Sequence, residues 1–302
     1  MIRRWGRYAA LAYPLRVQLP FTVAWAAGLT ALFASVTGAV DHWRPGPGLA
    51  VTTVTLVVDM LLMRALDDIR DQDYDRAHHP ERPLPAGVVR ERDLVALAVV
   101  GGALLLLLNA GRGVVALALL AQFAYTAAVI AADRLAGWPD GEQLALHLAV
   151  NLPIQTLISL YVYTGFLRAE HGHPTVSGLL AVVSATLGGL CLELGRKATR
   201  NPRPGERTYV TVLGPSGTSL TALGCAVAAA GLALAILRPW DPGAPGHGAG
   251  WLVLAPCALP ALAAARFAGG SLTWPAALTR SYVPVMYASF LAVGWISKGG
   301  PA

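Results

Sequence analysis

Nine apolar stretches, each near the ~20 residues that a bilayer requires, mark the chain. They lie at about 18–40, 47–66, 94–109, 113–132, 144–166, 175–193, 218–237, 250–270 and 281–297. Charged residues fall mainly between them. A spanning segment must satisfy its own backbone hydrogen bonds, and the alternating segments of ~10 residues that build a membrane β-barrel are absent. The pattern predicts an all-α integral membrane bundle of about nine transmembrane helices, read as a single transmembrane domain over residues 1–302. The opening MIRRWGRYAALAYPLR runs into the first stretch. It reads as the basic flank of a first transmembrane helix rather than a cleaved signal, because the apolar run is long and no good cleavage site follows.

Composition supports the same class. The chain is 55% hydrophobic and 13% charged, where soluble domains carry about 25% charge. That excludes an ordinary soluble globule and a disordered chain. A net charge of +6 would suggest nucleic acid in a soluble protein. Here it reflects basic loops held on one side of a bilayer, and no nucleic-acid partner is expected. Of the 23 Lys and Arg residues, sixteen lie in the N-terminus and the loops near 67–93, 133–143, 194–217 and 271–280. The alternate side holds only Arg44, Arg112, Arg168, Arg238 and Lys298, and Arg64 and Arg266 fall inside helices. The N-terminus and the two long motif loops, 67–93 and 194–217, are therefore expected in the cytoplasm of a multi-pass membrane protein, with the C-terminus outside. Cys191, Cys225 and Cys257 sit in apolar stretches and read as packed thiols.

The chemistry concentrates in those two loops, which follow the second and sixth stretches. Five aspartates, Asp67, Asp68, Asp71, Asp73 and Asp75, fall within nine residues. On a helix Asp68, Asp71 and Asp75 share one face, Asp67 lies beside them and Asp73 points away. Pro80, Pro83 and Pro85 then end any helix. Stacked carboxylates repel, the more so beside low-dielectric lipid, and hard oxygen ligands suit Mg²⁺, which takes carboxylates, waters and substrate phosphates together. The plainer alternative is a solvated acidic face relieved by Arg70 and Arg76.

Asp67-Asp68-x-x-Asp71-x-x-x-Asp75 followed by Arg82-Pro83-Leu84-Pro85-Ala86-Gly87 resembles the first signature of the UbiA superfamily of intramembrane prenyltransferases. Asp67 stands where that family usually has asparagine. The resemblance implies a Mg²⁺-bound isoprenyl diphosphate at the cytoplasmic mouth of a helical bundle. Asp67, Asp68, Asp71 and Asp75 would take the metal-binding positions and Arg82 the basic end of the motif.

In the second loop Glu193, Arg196, Lys197 and Arg200 line one helical face. Cations beside a metal-held diphosphate would bind its oxygens and stabilise the leaving group; the alternative is a positive-inside anchor with an internal ion pair. Glu193, Arg196, Lys197, Thr208, Tyr209 and Gly214 resemble one branch of the family's second signature. The acidic stretch of that signature is replaced by Asn201-Pro202-Arg203-Pro204-Gly205, leaving only Glu206. Either Glu193 with Asn201 completes a weaker metal site or the arginines carry more of the diphosphate charge.

The resemblance thus implies Mg²⁺-dependent transfer of an isoprenyl group from an allylic diphosphate to a small aromatic acceptor, with a 4-hydroxybenzoate-like phenolic acid as the acceptor it suggests. Arg196, Lys197 and Glu193 are the expected catalytic residues, and Arg82, Arg200, Asn201, Tyr209 and Tyr125 the expected substrate contacts. Tyr125, Tyr161 and Tyr163 read equally as core aromatics that could steady a carbocation. His147 and Asn151 are polar groups in an apolar helix, functional or bonded to a neighbouring helix. Two other functions compete. A UbiA-type terpene cyclase would ionise the same diphosphate and let the prenyl chain attack itself. A non-enzymatic transporter or ion-binding protein would instead place charges near mid-helix.

Overall fold

The protein is described by a computed structural model that covers residues 1–138, 143–202, 208–244 and 246–299. Arg203, Pro204, Gly205 and Glu206, named above in the second polar loop, lie outside the described residues. Among the described residues eleven α-helices follow one another: α1 (Ile2–Ala12), α2 (Leu15–Thr37), α3 (Pro47–Arg70), α4 (Gln72–His78), α5 (Glu91–Asn109), α6 (Val114–Ala136), α7 (Leu144–Ala169), α8 (Val176–Arg196), α9 (Val210–Leu237), α10 (Ala258–Ala268) and α11 (Ala276–Lys298). A 3₁₀ stretch, Ala249–Cys257, leads into α10. No strand forms among the described residues.

Among the described residues, eight segments are long and apolar enough to cross a bilayer: α2, α3, α5 with the short 3₁₀ turn after it, α6, α7, α8, α9, and the 3₁₀ stretch with α10. The chain is an integral multi-pass membrane protein. The ninth expected span corresponds to α11, which is 23 residues long but falls short in apolarity because Ser281, Tyr282, Tyr287 and Ser289 interrupt it. Three of these four polar side chains turn inward: Tyr282, Tyr287 and Ser289 are buried.

Two helices lie outside the predicted set. Residues 2–12 form α1, a separate amphipathic helix ahead of the first span. Tyr8 is its one buried side chain, and it docks through Arg4 to Asp93 at 3.0 Å and the Trp5 indole N–H to the Asp93 carbonyl at 2.7 Å. Helix α4 continues α3 past a single break at Asp71, so the aspartate face expected from the spacing does form.

Helix α2 is the hub, packed against α3, α7, α8 and α11. Small residues let backbones close up there. A side chain on Gly28 would overlap the Tyr287 backbone, and one on Gly294 would meet Ala31. Such contacts are how helices associate where lipid and side chain are equally apolar. The polar ends sort as the charge pattern requires. Arg134 pairs with Glu91 at 2.6 Å, Tyr8 meets Asp68 at 2.8 Å, and the Trp274 amide bonds the Ala198 carbonyl at 3.0 Å. These join the N-terminus and the basic loops at one end. At the other end Lys298 caps the Val40 carbonyl at 3.0 Å and Ala39 packs beside Gly172.

One charged group departs from that sorting. Asp59, 1% exposed, lies within α3, where both its oxygens accept from the Gln122 amide at 3.0 Å.

Candidate active site

One cavity of about 1110 Å³ brings the two polar loops together. Its acidic wall is the end of α3 with α4: Asp67, Asp68, Asp71 and Asp75. Its basic wall is the end of α8: Glu193, Arg196 and Lys197, with Asn201 and Tyr209 beyond. Arg82 also borders it. Deeper in, the lining becomes apolar, with Phe21, Trp25, Met60, Ile158, Val283 and Tyr287. Residues more than a hundred positions apart thus share one opening.

The four carboxylates are not equivalent. Asp68 and Asp75 are 2% and 1% exposed at the side chain, whereas Asp67 and Asp71 are 56% and 36% exposed. Asp68 accepts from the Tyr8 hydroxyl at 2.8 Å and pairs with Arg64 at 2.7 Å. Burial, and then the Asp68 carboxylate, push the Tyr8 phenol well above its usual range, so it stays a donor. Asp75 receives Arg82 through both oxygens, at 2.6 and 2.7 Å. Partial burial works to lower the Arg82 pKa, but the bond and charge of Asp75 outweigh it and hold the guanidinium charged. Asp67 and Asp71 share Arg70 at 3.4 Å each, and Arg70 also donates to Asn151 on α7 at 2.8 Å. Asp73, as its position predicts, faces away and meets Arg76 at 2.9 Å.

Arg70 and Arg76 thus both relieve the cluster, as expected, and Arg64 and Arg82 join them. Among the described residues, no group of three His, Cys, Asp or Glu side chains converges closely enough to hold an ion unaided. Of these four aspartates, Asp67 and Asp71 remain open to water on the cavity wall.

On the basic wall Glu193 holds both cations, Arg196 at 2.8 Å and Lys197 at 2.8 Å. The Lys197 ammonium lies over the Tyr209 ring, 5.7 Å from its centroid. Burial, and then Glu193, raise the Tyr209 phenol. Two glycines of the resembling segments have backbone reasons. Gly87 has φ +73° at the turn closing Arg82–Gly87, and Gly214 has φ +67° and ψ 169°, where α9 breaks before its long run. Both conformations favour glycine.

Two expected contacts are not part of the cavity wall. Arg200 turns to α10, where it donates to the Phe267 carbonyl at 2.7 Å and stacks 4.9 Å over the Phe267 ring. Its place on the face of Glu193 is lost because α8 ends at Arg196, so the helical register does not reach residue 200. Tyr125 bonds the Val150 carbonyl at 2.9 Å, tying α6 to α7. Tyr161 and Tyr163 are core aromatics: one bonds Asn109 at 3.0 Å and the other accepts from the Thr175 amide at 2.8 Å. The sequence reading missed Tyr8 and Arg64 as partners of Asp68. For Arg64 the i, i+4 spacing to Asp68 was available, but no local signal points to Tyr8, 60 residues away.

No family model and no curated protein sequence matches the chain. Solved structures do. A UbiA homolog from Aeropyrum pernix K1, in its apo form, aligns over 91% of this chain and 95% of its own, with 18% identity and a TM-score of 0.61. A UbiA homolog from Archaeoglobus fulgidus bound to DMAPP and Mg²⁺ aligns over 97% and 99%, with 15% identity and a TM-score of 0.66. The structure of a UbiA homolog from Archaeoglobus fulgidus bound to GPP and Mg²⁺ aligns over 97% and 100%, with 16% identity and the same TM-score. Along nearly its whole length, this chain has the fold of the UbiA homologs.

Proposed function

We propose that the chain is a Mg²⁺-dependent membrane prenyltransferase that moves an isoprenyl group from an allylic diphosphate to an aromatic acceptor. The observation that carries this reading is the polarity gradient of the cavity. Acidic and basic walls face each other at the mouth and an apolar floor lies below, which matches a lipid-tailed diphosphate. Two solved structures of the same fold, with DMAPP and GPP respectively, each also hold Mg²⁺. The excess of Lys and Arg at the mouth end supports a cytoplasmic opening.

The donor set fits Mg²⁺. This ion keeps several waters and binds through one or two carboxylates plus substrate phosphates, so a preformed cage is not required. Asp67 and Asp71, the two more exposed carboxylates, are the residues that would hold it, while Asp68 and Asp75 are engaged by Tyr8, Arg64 and Arg82. When bound, the ion would supply neutralisation of diphosphate charge.

The protein's own groups do the rest. Arg196 and Lys197, kept at the mouth by Glu193, bind the diphosphate oxygens and stabilise negative charge as the bond from carbon to bridging oxygen breaks. Pyrophosphate leaves with the electron pair. The apolar floor excludes water from the allylic cation, an electron-rich ring attacks it, and the ring proton is lost. Purified protein is to be incubated with allylic diphosphates of several chain lengths, with and without Mg²⁺ and phenolic acids such as 4-hydroxybenzoate. Prenylated phenols by mass spectrometry support transfer. Cyclic hydrocarbons or alcohols without acceptor would assign a cyclase instead, and no pyrophosphate release under any condition would refute both.

A further inference from the structure

Below the charged mouth the cavity has a polar group that the diphosphate does not need. Gln155 lines it from α7, one helical turn beyond Asn151, or about 5.4 Å deeper. Asn151 belongs to the mouth, because it accepts from Arg70 at 2.8 Å. Gln155 has passed below the charged groups. Its cavity-lining neighbours on α7 are Ile154 and Ile158, and Val283 and Tyr287 line the cavity from α11. The side chain is half-buried, and among the described residues its amide has no hydrogen-bonding partner. A carboxamide at that depth would normally bond a neighbouring helix, as Gln122 does with Asp59.

The facing helix makes room for this amide. A side chain on Gly189 of α8 would overlap the Gln155 amide nitrogen and oxygen and the carbon that bears them. The seat is thus shaped around a polar side chain whose amide opens to the cavity, and a ligand that displaces water from it binds better if it restores the hydrogen bond.

We propose that Gln155 is the acceptor-recognition group of the cavity, hydrogen-bonding a neutral hydroxyl of the incoming acceptor. This rests on the prenyl-transfer reading, in which that hydroxyl is a phenol. The carboxamide oxygen is an acceptor, so it takes the O–H of a phenol, a bond that an O-methyl ether cannot make. The cations that border the cavity belong to the mouth, on the ends of α3 and α8 and in the loop after α4, so the buried end of the acceptor is uncharged.

The test measures binding rather than turnover. Detergent-purified protein is titrated with a neutral phenol, methyl 4-hydroxybenzoate, and with its O-methyl ether. In parallel it is titrated with geranyl thiolodiphosphate and Mg²⁺. Wild type should prefer the phenol to the ether by about ten-fold, the worth of one hydrogen bond of ~1.4 kcal/mol. Gln155→Met, close in shape, should abolish that preference and leave thiolodiphosphate binding within two-fold, roughly the scatter between distant sites. Gly189→Ala should give the same loss by displacing an intact Gln155. A wild type without the preference, or a Gln155→Met protein that keeps it, overturns the assignment. Failure of wild type to bind thiolodiphosphate would instead refute the diphosphate reading, while the phenol titration still decides the role of Gln155.

Discussion

Arg82 distinguishes two roles that sequence alone leaves superposed, a grip on substrate and a partner for a buried charge. Its guanidinium reaches both oxygens of Asp75 at 2.6 and 2.7 Å, and Asp75 is 1% exposed while Arg82 is 32% exposed at the side chain. Removing one partner of a buried pair costs about 3–5 kcal/mol, because the remaining charge has neither water nor counter-ion. The exposure of Arg82 favours the lower end. Arg82→Ala is therefore expected to destabilise the protein by about 3 kcal/mol, which lowers the midpoint of thermal unfolding by about 6–12 °C for a chain of this size. Asp75→Asn in the Arg82→Ala background should recover most of that loss, since a buried amide is far cheaper than a buried carboxylate. The assay is thermal unfolding in detergent for the four members of the double-mutant cycle, with Arg82→Lys as a fifth. A lysine keeps the charge but not the fork geometry and should restore only part. If Arg82→Ala unfolds within about 2 °C of wild type, less than the shift from 1 kcal/mol, or if Asp75→Asn restores nothing, the pair is not what holds this corner.

Further outcomes follow from the same geometry. Tyr8→Phe deletes a hydrogen bond to the buried Asp68 carboxylate and should destabilise by about 1.5–3 kcal/mol; an unchanged unfolding midpoint would refute the docking of α1 onto α3. Asp67→Asn and Asp71→Asn should each raise the Mg²⁺ concentration needed for half-maximal pyrophosphate release by about ten-fold or more, the scale of losing a metal ligand or its support. Equal Mg²⁺ curves would move the metal elsewhere. Arg200→Ala should leave thiolodiphosphate affinity unchanged, since its contacts are Phe267 rather than the cavity, yet cost about 1.5–3 kcal/mol of stability. Gly28→Ala forces a methyl into the Tyr287 backbone and should destabilise by about 1–3 kcal/mol, read as lower folded yield and unfolding temperature.

Much of the architecture is legible from local pattern. All nine apolar stretches form helical segments, eight of them plainly long and apolar enough to span, because each helix closes its own backbone bonds and needs only length and apolarity. α11 is harder to read because Tyr282, Tyr287 and Ser289 are buried against neighbours, and hydropathy measures exposure to lipid, not to protein. α1 escaped the reading because an interfacial helix needs an amphipathic face rather than an apolar run. The site divides likewise. The carboxylate face of α3 and α4 follows from helical spacing, as does the Glu193, Arg196 and Lys197 group. Arg200 breaks the rule because the helix ends at Arg196.

The amino-acid order alone determined the class, the spans, and the two clusters of opposite charge, because these depend on composition and on contacts within a turn or two of helix. Only the tertiary structure decided which carboxylates stay open to the cavity, since Asp68 and Asp75 are claimed by Tyr8 and Arg82, and which amide is left without a partner. Those outcomes depend on which helices pack side by side. Burial and pairing are properties of the assembled bundle, in which a residue 60 positions away can be a nearest neighbour.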